Sequence, residues 1–219
     1  MQIKIESSPI LYPQAVSIME GKVADIISAS GKEMLWFLEH PPVYTSGTSA
    51  NAGDYIASQH PIYKNFPIYK TGRGGQFTYH GPGQRVVYIM ADLCRYFGKD
   101  LRRYVKELEN LVINSLAKFS IQATRKQGRI GIWVDGSNYK AGQAKIASIG
   151  IRVKKWVAYH GISINLNPDL THFNGIIPCG ISQYDVTSIN QIKPDVTMEM
   201  LDKVLIEEFT ELFSLGRNC

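Results

Sequence analysis

Two residues of this sequence could form a nucleophile and its activator. Cys179 stands between a proline and a glycine in "GIIPCGI", a setting in which a turn could expose the sulfur and backbone N–H groups could hold an oxyanion. Lys145 opens the otherwise apolar segment "KIASIGI", where an inward-pointing lysine is costly unless it pairs with an anion. A nearby ammonium lowers the pKa of a thiol and favours the thiolate. The two side chains would therefore suit nucleophilic catalysis by cysteine.

Each of these residues also has a purely structural interpretation. A lone cysteine is more often a buried small hydrophobe than a nucleophile. Lys145 could equally be an ordinary lysine at the edge of a strand. Taken alone, Cys179 is better explained as a packing residue, whereas Lys145 leaves both interpretations open.

Residues 72–84, "GRGGQFTYHGPGQ", are the densest signal for a binding site. Five glycines and one proline among these thirteen residues allow backbone N–H groups to approach a ligand closely. The stretch matches neither the dinucleotide-binding fingerprint nor a Walker loop. A ligand loop is favoured over a plain turn-rich connection, and the residues leave its ligand open.

The histidines point to a pocket rather than to a metal. His80 and His160 each follow a tyrosine and precede a glycine, and we expect them to line or orient a site rather than to act as a general base. His40, His60 and His172 form no constellation. Because no histidine pair has metal-ligand spacing, we predict no metal.

Apolar spacing predicts the elements that position these residues. Helices are expected over residues 13–27, over 101–116 with Asp100 as the N-cap, and from about Thr197 onward. The last of these should bury Leu201, Leu205, Phe209 and Leu212. Strands are expected at residues 34–38, 86–91, 129–134, 145–153 and 156–166. This order predicts one α/β domain over residues 1–219, with a mixed β-sheet flanked by helices.

Composition narrows the function class. Lys and Arg number 24 against 19 acidic residues, a net charge of +5, without the interleaved aromatics of a nucleic-acid-binding surface. No secretory signal and no apolar run of about 18 residues is seen, so we expect a cytoplasmic protein that binds neither membrane nor nucleic acid. Cys94, Cys179 and Cys219 are odd in number and widely spaced, which favours reduced thiols.

Five ordered blocks resemble the octanoyltransferases of lipoate synthesis, the lipoyl(octanoyl) transferase family. They are "LEHPPVYTSG" (38–47), "RGGQFTYHGPGQ" (73–84), "KIASIGIRV" (145–153), "YHGISINLN" (159–167) and "PCGI" (178–181) followed by "VTSI" (186–189). The resemblance implies the fold of the biotin- and lipoate-protein ligase catalytic domain.

The resemblance also implies a reaction. Cys179 would carry the acyl group as a thioester, and Lys145 would lower the pKa of its thiol. The octanoyl group would pass from acyl carrier protein to a lysine on the lipoyl domains of 2-oxoacid dehydrogenase complexes and on the glycine cleavage H protein. Because a thioester is already activated, neither ATP nor any other cofactor is expected. We also expect the enzyme to be a monomer.

The same resemblance assigns the substrate pocket. It would be formed by the glycine-rich loop and by parts of two strands, namely Arg73, Gly74, Gly75, Gln76, Phe77, Thr78, Tyr79, His80, Ser148, Ile149, Gly150, Gly161, Ile162 and Ser163.

Two other functions remain open. An ATP-dependent lipoate–protein ligase would share the fold and a similar glycine-rich loop, but it would act through an acyl-adenylate and would not need Cys179. A non-catalytic module that binds an acyl group or its carrier would keep the pocket and lose nothing on replacement of Cys179.

Overall fold

The computed structural model describes residues 1–57, 61–177 and 183–215. Its helices and strands in chain order are β1 (Gln2–Ile5), α1 (Tyr12–Ile27), β2 (Met34–Leu38), β3 (Val43–Ser46), β4 (Ile68–Lys70), β5 (Phe77–His80), β6 (Gln84–Asp92), α2 (Leu93–Phe97), α3 (Leu101–Lys118), β7 (Ala123–Lys126), β8 (Arg129–Asp135), β9 (Gln143–Lys154), β10 (Val157–Asn165), β11 (Asp185–Val186), α4 (Ile189–Ile192) and α5 (Met198–Leu215).

The large sheet has the strand order β1-β2-β6-β10-β9-β8-β7, with β11 beside β9. The β1–β2 and β9–β11 pairs are parallel, and the other pairs are antiparallel. The predicted mixed sheet is therefore confirmed. Strands β2 and β10 are buried along their whole length, and the sequence of β2 accordingly reads as a continuous apolar run.

Helices cover both faces of this sheet. On one face α3 and α5 contribute Leu108, Val112 and Phe209 to the larger apolar core. On the other face α1 contributes Ala15 and Met19 to a second core. In the described part of the chain, no helix has the length and apolar character needed to cross a bilayer.

The predicted helices are confirmed with small corrections. Asp100 caps α3 by accepting a hydrogen bond from the Arg103 backbone N–H at 2.9 Å. In α5 the buried position near the C-terminus is Phe213, whereas Leu212, predicted to be buried, is only half-buried. Phe213 continues the four-residue spacing of Leu201, Leu205 and Phe209, so it stays on the core face of the helix.

A buried ion pair ties α5 to the sheet. Arg85 of β6 places its Nε 2.7 Å from Oδ1 of Asp202, and a terminal guanidinium nitrogen lies 2.8 Å from Oδ2. Both side chains are almost fully buried. A two-point contact of this kind fixes the rotation of α5 against β6.

A small second sheet is formed by β3, β4 and β5, the last of which lies within the glycine-rich stretch, and apolar periodicity did not predict it. Its strand order is β4-β3-β5. Tyr44 and Tyr79 are fully buried in an aromatic core beneath it, together with Phe173. Strands of three or four residues are too short to show a reliable alternation of apolar and polar residues.

Candidate active site

A cavity of about 210 Å³ lies between the large sheet and the small sheet. Its walls come from β5 and the glycine-rich loop on one side and from β6, β8, β9 and β10 on the other. Phe77, Val86, Ile149 and Ile162 supply apolar surface. Lys145, Ser163 and Asn165 bring polar groups to the same walls. A cleft that combines apolar surface with placed polar groups is the usual form of a small-molecule site.

A β-bulge brings Lys145 to this cavity. Trp133 of β8 is paired with Lys145, but the preceding residue, Ile132, is paired with Ala147, so β9 carries one extra residue at Ile146. Lys145 and Ser148 are three residues apart and would face opposite sides of a regular strand. Because the bulge adds a residue, both line the cavity.

Gly131 makes room for the Lys145 side chain. Lys145 is only 7% exposed, and its ammonium lies 5.9 Å from the centre of the Trp133 ring. A β-carbon on Gly131 would overlap Lys145 Cε and would lie 2.6 Å from the Ala147 carbonyl oxygen. The φ angle of Gly131 is +109°, a conformation that side-chain-bearing residues rarely adopt.

Arg73 fastens the glycine-rich loop to β3. Its guanidinium donates hydrogen bonds to the hydroxyl and the carbonyl oxygen of Thr45 at 2.7 and 2.8 Å. It also donates to the carbonyl oxygens of Gly74 and Gln76 at 3.0 and 2.9 Å. The planar fork of an arginine can satisfy several acceptors at once, so Arg73 both lines the cavity and sets the shape of its loop.

Two glycines face each other where the loop meets the sheet. Gly150 of β9 is paired with Gly161 of β10. A β-carbon on Gly150 would lie 3.2 Å from the Gly74 carbonyl oxygen, and one on Gly161 would overlap the carbonyl oxygen of Val87. The missing side chain of Gly150 therefore permits the loop to approach the sheet closely, and that of Gly161 permits close contact with β6.

Three buried histidines stand beside the cavity with Tyr12 and Tyr88. The ring centres of His40 and His80 are 5.6 Å apart, and His40 Nε2 lies 2.7 Å from the Tyr88 hydroxyl. Burial lowers the pKa of His40 to about 4 and that of His160 to about 3. Burial also lowers the pKa of His80 well below its ordinary value. All three imidazoles are therefore neutral at pH 7.

His160 reaches the cavity because its backbone departs from a regular strand. Its neighbours Ala158 and Ile162 belong to the core beneath α3 and α5, and strict alternation would place His160 with them. Instead its φ angle is +61°, and its ring lies 5.8 Å from Tyr88, which belongs to the core on the α1 side. Such backbone strain is concentrated at functional sites.

The structure brings most of the predicted pocket residues together. Those that line the cavity are Arg73, Gly75, Gln76, Phe77, Thr78, His80, Ser148, Ile149, Gly150, Gly161, Ile162 and Ser163, with Lys145. Gly74 and Tyr79 are described but do not line it. Gly74 donates its backbone N–H to the Ile151 carbonyl oxygen at 2.9 Å, and Tyr79 points into the core of the small sheet. Cys179 lies outside the described residues, as do His60 and Cys219.

Several cavity residues were not predicted. They are Tyr12, Ser49, Val86, Tyr88, residues 128–130, Asn165, Phe173 and Val186. Asn165 had a detectable signal, because it is a polar residue that alternates with isoleucine and leucine in "ISINL". Among the described residues, no group of three His, Cys, Asp or Glu side chains is arranged to hold a metal ion.

Comparisons with known proteins agree with this architecture. Residues 12–210 match the family described as lipoyl protein ligase A/B catalytic domain. An octanoyltransferase from Paramagnetospirillum magneticum is 48% identical over 210 residues, covering 96% of this chain and 95% of the relative. An octanoyltransferase from Rhodospirillum rubrum is 44% identical over 213 residues, covering 97% of this chain and 95% of the relative.

Solved structures share the fold at much lower identity. A lipoate-protein ligase A bound with ATP superimposes with a TM-score of 0.71 at 16% identity, covering 98% of this chain and 86% of that one. A chain from the bipartite lipoate protein ligase system of Thermoplasma acidophilum gives a TM-score of 0.70 at 16% identity, covering 97% of this chain and 83% of that one. The predicted ligase-like fold is thus confirmed, and the chain belongs to the octanoyltransferase family within the lipoyl protein ligase A/B catalytic domain family.

Proposed function

We propose that this chain is an acyltransferase that moves an octanoyl group from acyl carrier protein to the target lysine of a lipoyl domain. Membership of the octanoyltransferase family supports the reaction class. The observation that carries the proposal is the buried Lys145 in the wall of a cavity that also presents apolar surface from Phe77, Ile149 and Ile162. Such a cavity suits an acyl chain whose reactive end lies beside an ammonium group.

One residue before Cys179 in the chain and one after it line this cavity. Phe173, before it in the chain, and Val186, after it, both line the cavity. Val186 is also the register partner of Lys145, and the Thr187 backbone N–H donates to the Lys145 carbonyl oxygen at 2.9 Å. Six residues separate Cys179 from Phe173 and seven separate it from Val186, a reach of roughly 20–25 Å. The proposed action of Cys179 beside Lys145 is compatible with this spacing.

The proposed chemistry has two half-reactions. In the first, the Cys179 thiolate attacks the carbonyl carbon of the octanoyl thioester, a new carbon–sulfur bond forms, and the carrier thiolate leaves and takes a proton from Lys145. In the second, the amine of the target lysine attacks the acyl-enzyme. Its surplus proton passes to the now neutral Lys145, an amide forms, and the Cys179 thiolate is released. Backbone N–H groups would hold the tetrahedral oxyanion in both steps.

No nucleotide takes part in this scheme, which separates it from the ligase alternative. A thioester already carries the activation that a ligase obtains by forming an acyl-adenylate. The likeness to a ligase bound with ATP, at 16% identity, supports the fold alone. The acceptors that we propose are the lipoyl domains of 2-oxoacid dehydrogenase complexes and the glycine cleavage H protein.

The test is octanoyl transfer from purified carrier protein to a purified lipoyl domain with no nucleotide present. We expect turnover by the intact chain and a fall of about 10²- to 10⁴-fold in Lys145→Ala, the usual range for loss of an acid–base group. Lys154→Ala is the matched control, because Lys154 is an exposed lysine of the same strand. Transfer that requires ATP would contradict the proposal, and so would Lys145→Ala at the rate of the control.

A further inference from the structure

Two buried side-chain amides, those of Gln84 and Asn165, form a hydrogen-bonded series at the wall of the cavity. Gln84 Nε2 lies 3.2 Å from the Tyr79 carbonyl oxygen and 2.9 Å from Oδ1 of Asn165. Asn165 Nδ2 lies 3.0 Å from the Thr187 carbonyl oxygen. Gln84, Asn165 and Thr187 are all at most 4% exposed, so a mispaired group would be costly here.

Two backbone carbonyls fix the orientation of both side-chain amides. Because a carbonyl oxygen only accepts, the nitrogen of Gln84 must face Tyr79 and the nitrogen of Asn165 must face Thr187. If the Asn165 amide were reversed, its NH₂ group would face the NH₂ group of Gln84, and its oxygen would face the carbonyl oxygen of Thr187. The hydrogen-bond network thus determines the amide assignment.

This orientation determines which ring nitrogen of His80 carries the proton. The atom that Gln84 offers to His80 is Oε1, which lies 2.6 Å from His80 Nδ1. An amide oxygen accepts only, so Nδ1 must be the donor. Since a neutral imidazole carries one proton, Nε2 of His80 is left unprotonated.

The surroundings of His80 keep the ring neutral. Burial lowers the pKa of His80, and the nearby His40, Arg73 and His160 also lower it, whereas the hydrogen bond to Gln84 opposes them. Tyr12 lies parallel to the ring at 6.4 Å. His80 lines the cavity, and alternation along β5 places its side chain on the same face as Thr78 and opposite Tyr79.

We propose that Gln84, oriented by Asn165, is a positioning residue that holds His80 in the Nδ1–H tautomer, so that Nε2 accepts a hydrogen bond from substrate in the cavity. The clause on substrate rests on the proposed octanoyl transfer. In that reaction the acceptor lysine brings an amine with N–H donors to the acyl centre. Nε2 would accept a hydrogen bond from one N–H of this amine. This contact would direct the lone pair of the amine nitrogen at the thioester carbonyl carbon.

The tautomer is measurable without any assay of activity. The full-length chain is labelled with ¹⁵N-histidine, and two-bond ¹H–¹⁵N correlations are recorded at pH 7, with the His80 signals assigned by their loss in His80→Gln. We expect His80 to be neutral and unprotonated at Nε2. An Nε2–H tautomer or an imidazolium would overturn the proposal. This measurement is made on the unmodified sequence and does not depend on a variant of Gln84.

Gln84→Met removes the acceptor of the Nδ1 proton while roughly keeping side-chain length. We expect the His80 signals of this variant to move toward the Nε2–H form. Gln191→Met is the matched control, because Gln191 accepts from the Thr187 hydroxyl at 2.8 Å at the far end of the network and does not touch His80. An unchanged tautomer in Gln84→Met would overturn the positioning role.

The kinetic readout separates the two half-reactions. Gln84→Met should slow the attack of the acceptor amine on the octanoyl-enzyme about tenfold, the effect of one lost hydrogen bond, and should leave formation of the octanoyl-enzyme at its normal rate. An unchanged amine step would overturn the substrate clause. If the intact chain transferred no octanoyl group, the proposed function would fail while the tautomer measurement still decided the role of Gln84.

Discussion

Gly131→Ala adds one methyl group to the strand that lies beneath Lys145. The new β-carbon would overlap Lys145 Cε and would stand 2.6 Å from the Ala147 carbonyl oxygen. Lys145 can move aside because its chain is flexible, whereas the Ala147 carbonyl belongs to the sheet. The substitution therefore displaces the ammonium and strains β8 and β9 at the bulge.

The expected loss of stability has two contributions. A side chain at the φ angle of +109° costs about 1–3 kcal/mol in backbone strain. Forcing a methyl group into a closely packed site costs about 1–3 kcal/mol more. The free energy of unfolding should therefore fall by about 2–6 kcal/mol, a large part of the usual total of about 5–15 kcal/mol. Displacing Lys145 by about 1 Å should slow octanoyl transfer roughly 10²-fold.

Urea unfolding and the rate of octanoyl transfer are the two measurements, with two other glycines as controls. Gly98 has a positive φ of +58° but open space around its β-carbon position, so Gly98→Ala reports backbone strain without collision. Gly21 lies in α1 with open space and without a positive φ, so Gly21→Ala should be neutral or stabilising by about 0.5–1 kcal/mol. Gly131→Ala with the stability and rate of Gly98→Ala would refute the reasoning.

Two further predictions concern stability. Acidification from pH 7 to pH 5 should lower the free energy of unfolding, because the unfolded chain binds protons near the ordinary histidine pKa of 6.5 while burial lowers the pKa of His160 to about 3. In urea unfolding of His160→Gln, the free energy of unfolding should fall less steeply with falling pH, by up to about 1.4 kcal/mol per pH unit. An unchanged pH dependence in this variant would contradict the prediction. Asp202→Asn should lower the free energy of unfolding by about 3–5 kcal/mol, because Arg85 is left buried without its carboxylate. The control Glu20→Gln removes an exposed partner of Arg152 and should change the free energy of unfolding by less than about 1 kcal/mol. Equal effects of the two substitutions would contradict the role of the buried pair.

Long apolar segments were the part of the fold that the sequence predicted well. The helix that begins at Leu101 and the strand that begins at Met34 agree with their apolar spacing, because a whole face or a whole strand is buried. The exposed strand β1 and the short strands of the small sheet were missed. Their stability comes from pairing with strands distant in sequence, and local periodicity does not record such pairing.

The site was predicted as a set of residues but not as a geometry. The ordered blocks placed Lys145, Ser148 and His80 in one pocket, and all three line the cavity. The bulge at Ile146 and the positive φ of His160 were not predictable, because each depends on the register between neighbouring strands. The role of Gly131 was missed for the same reason, since only the paired strand brings Lys145 over it.

The central claim is that Cys179 carries the octanoyl group, and intact-protein mass measurement tests it most directly. After incubation with octanoyl acyl carrier protein, the chain should gain the mass of one octanoyl group on Cys179. The adduct should be released by a lipoyl domain and should not form in Cys179→Ala. Octanoyl transfer by Cys179→Ala at the rate of the unmodified sequence, or an adduct that no acceptor lysine releases, would contradict the account.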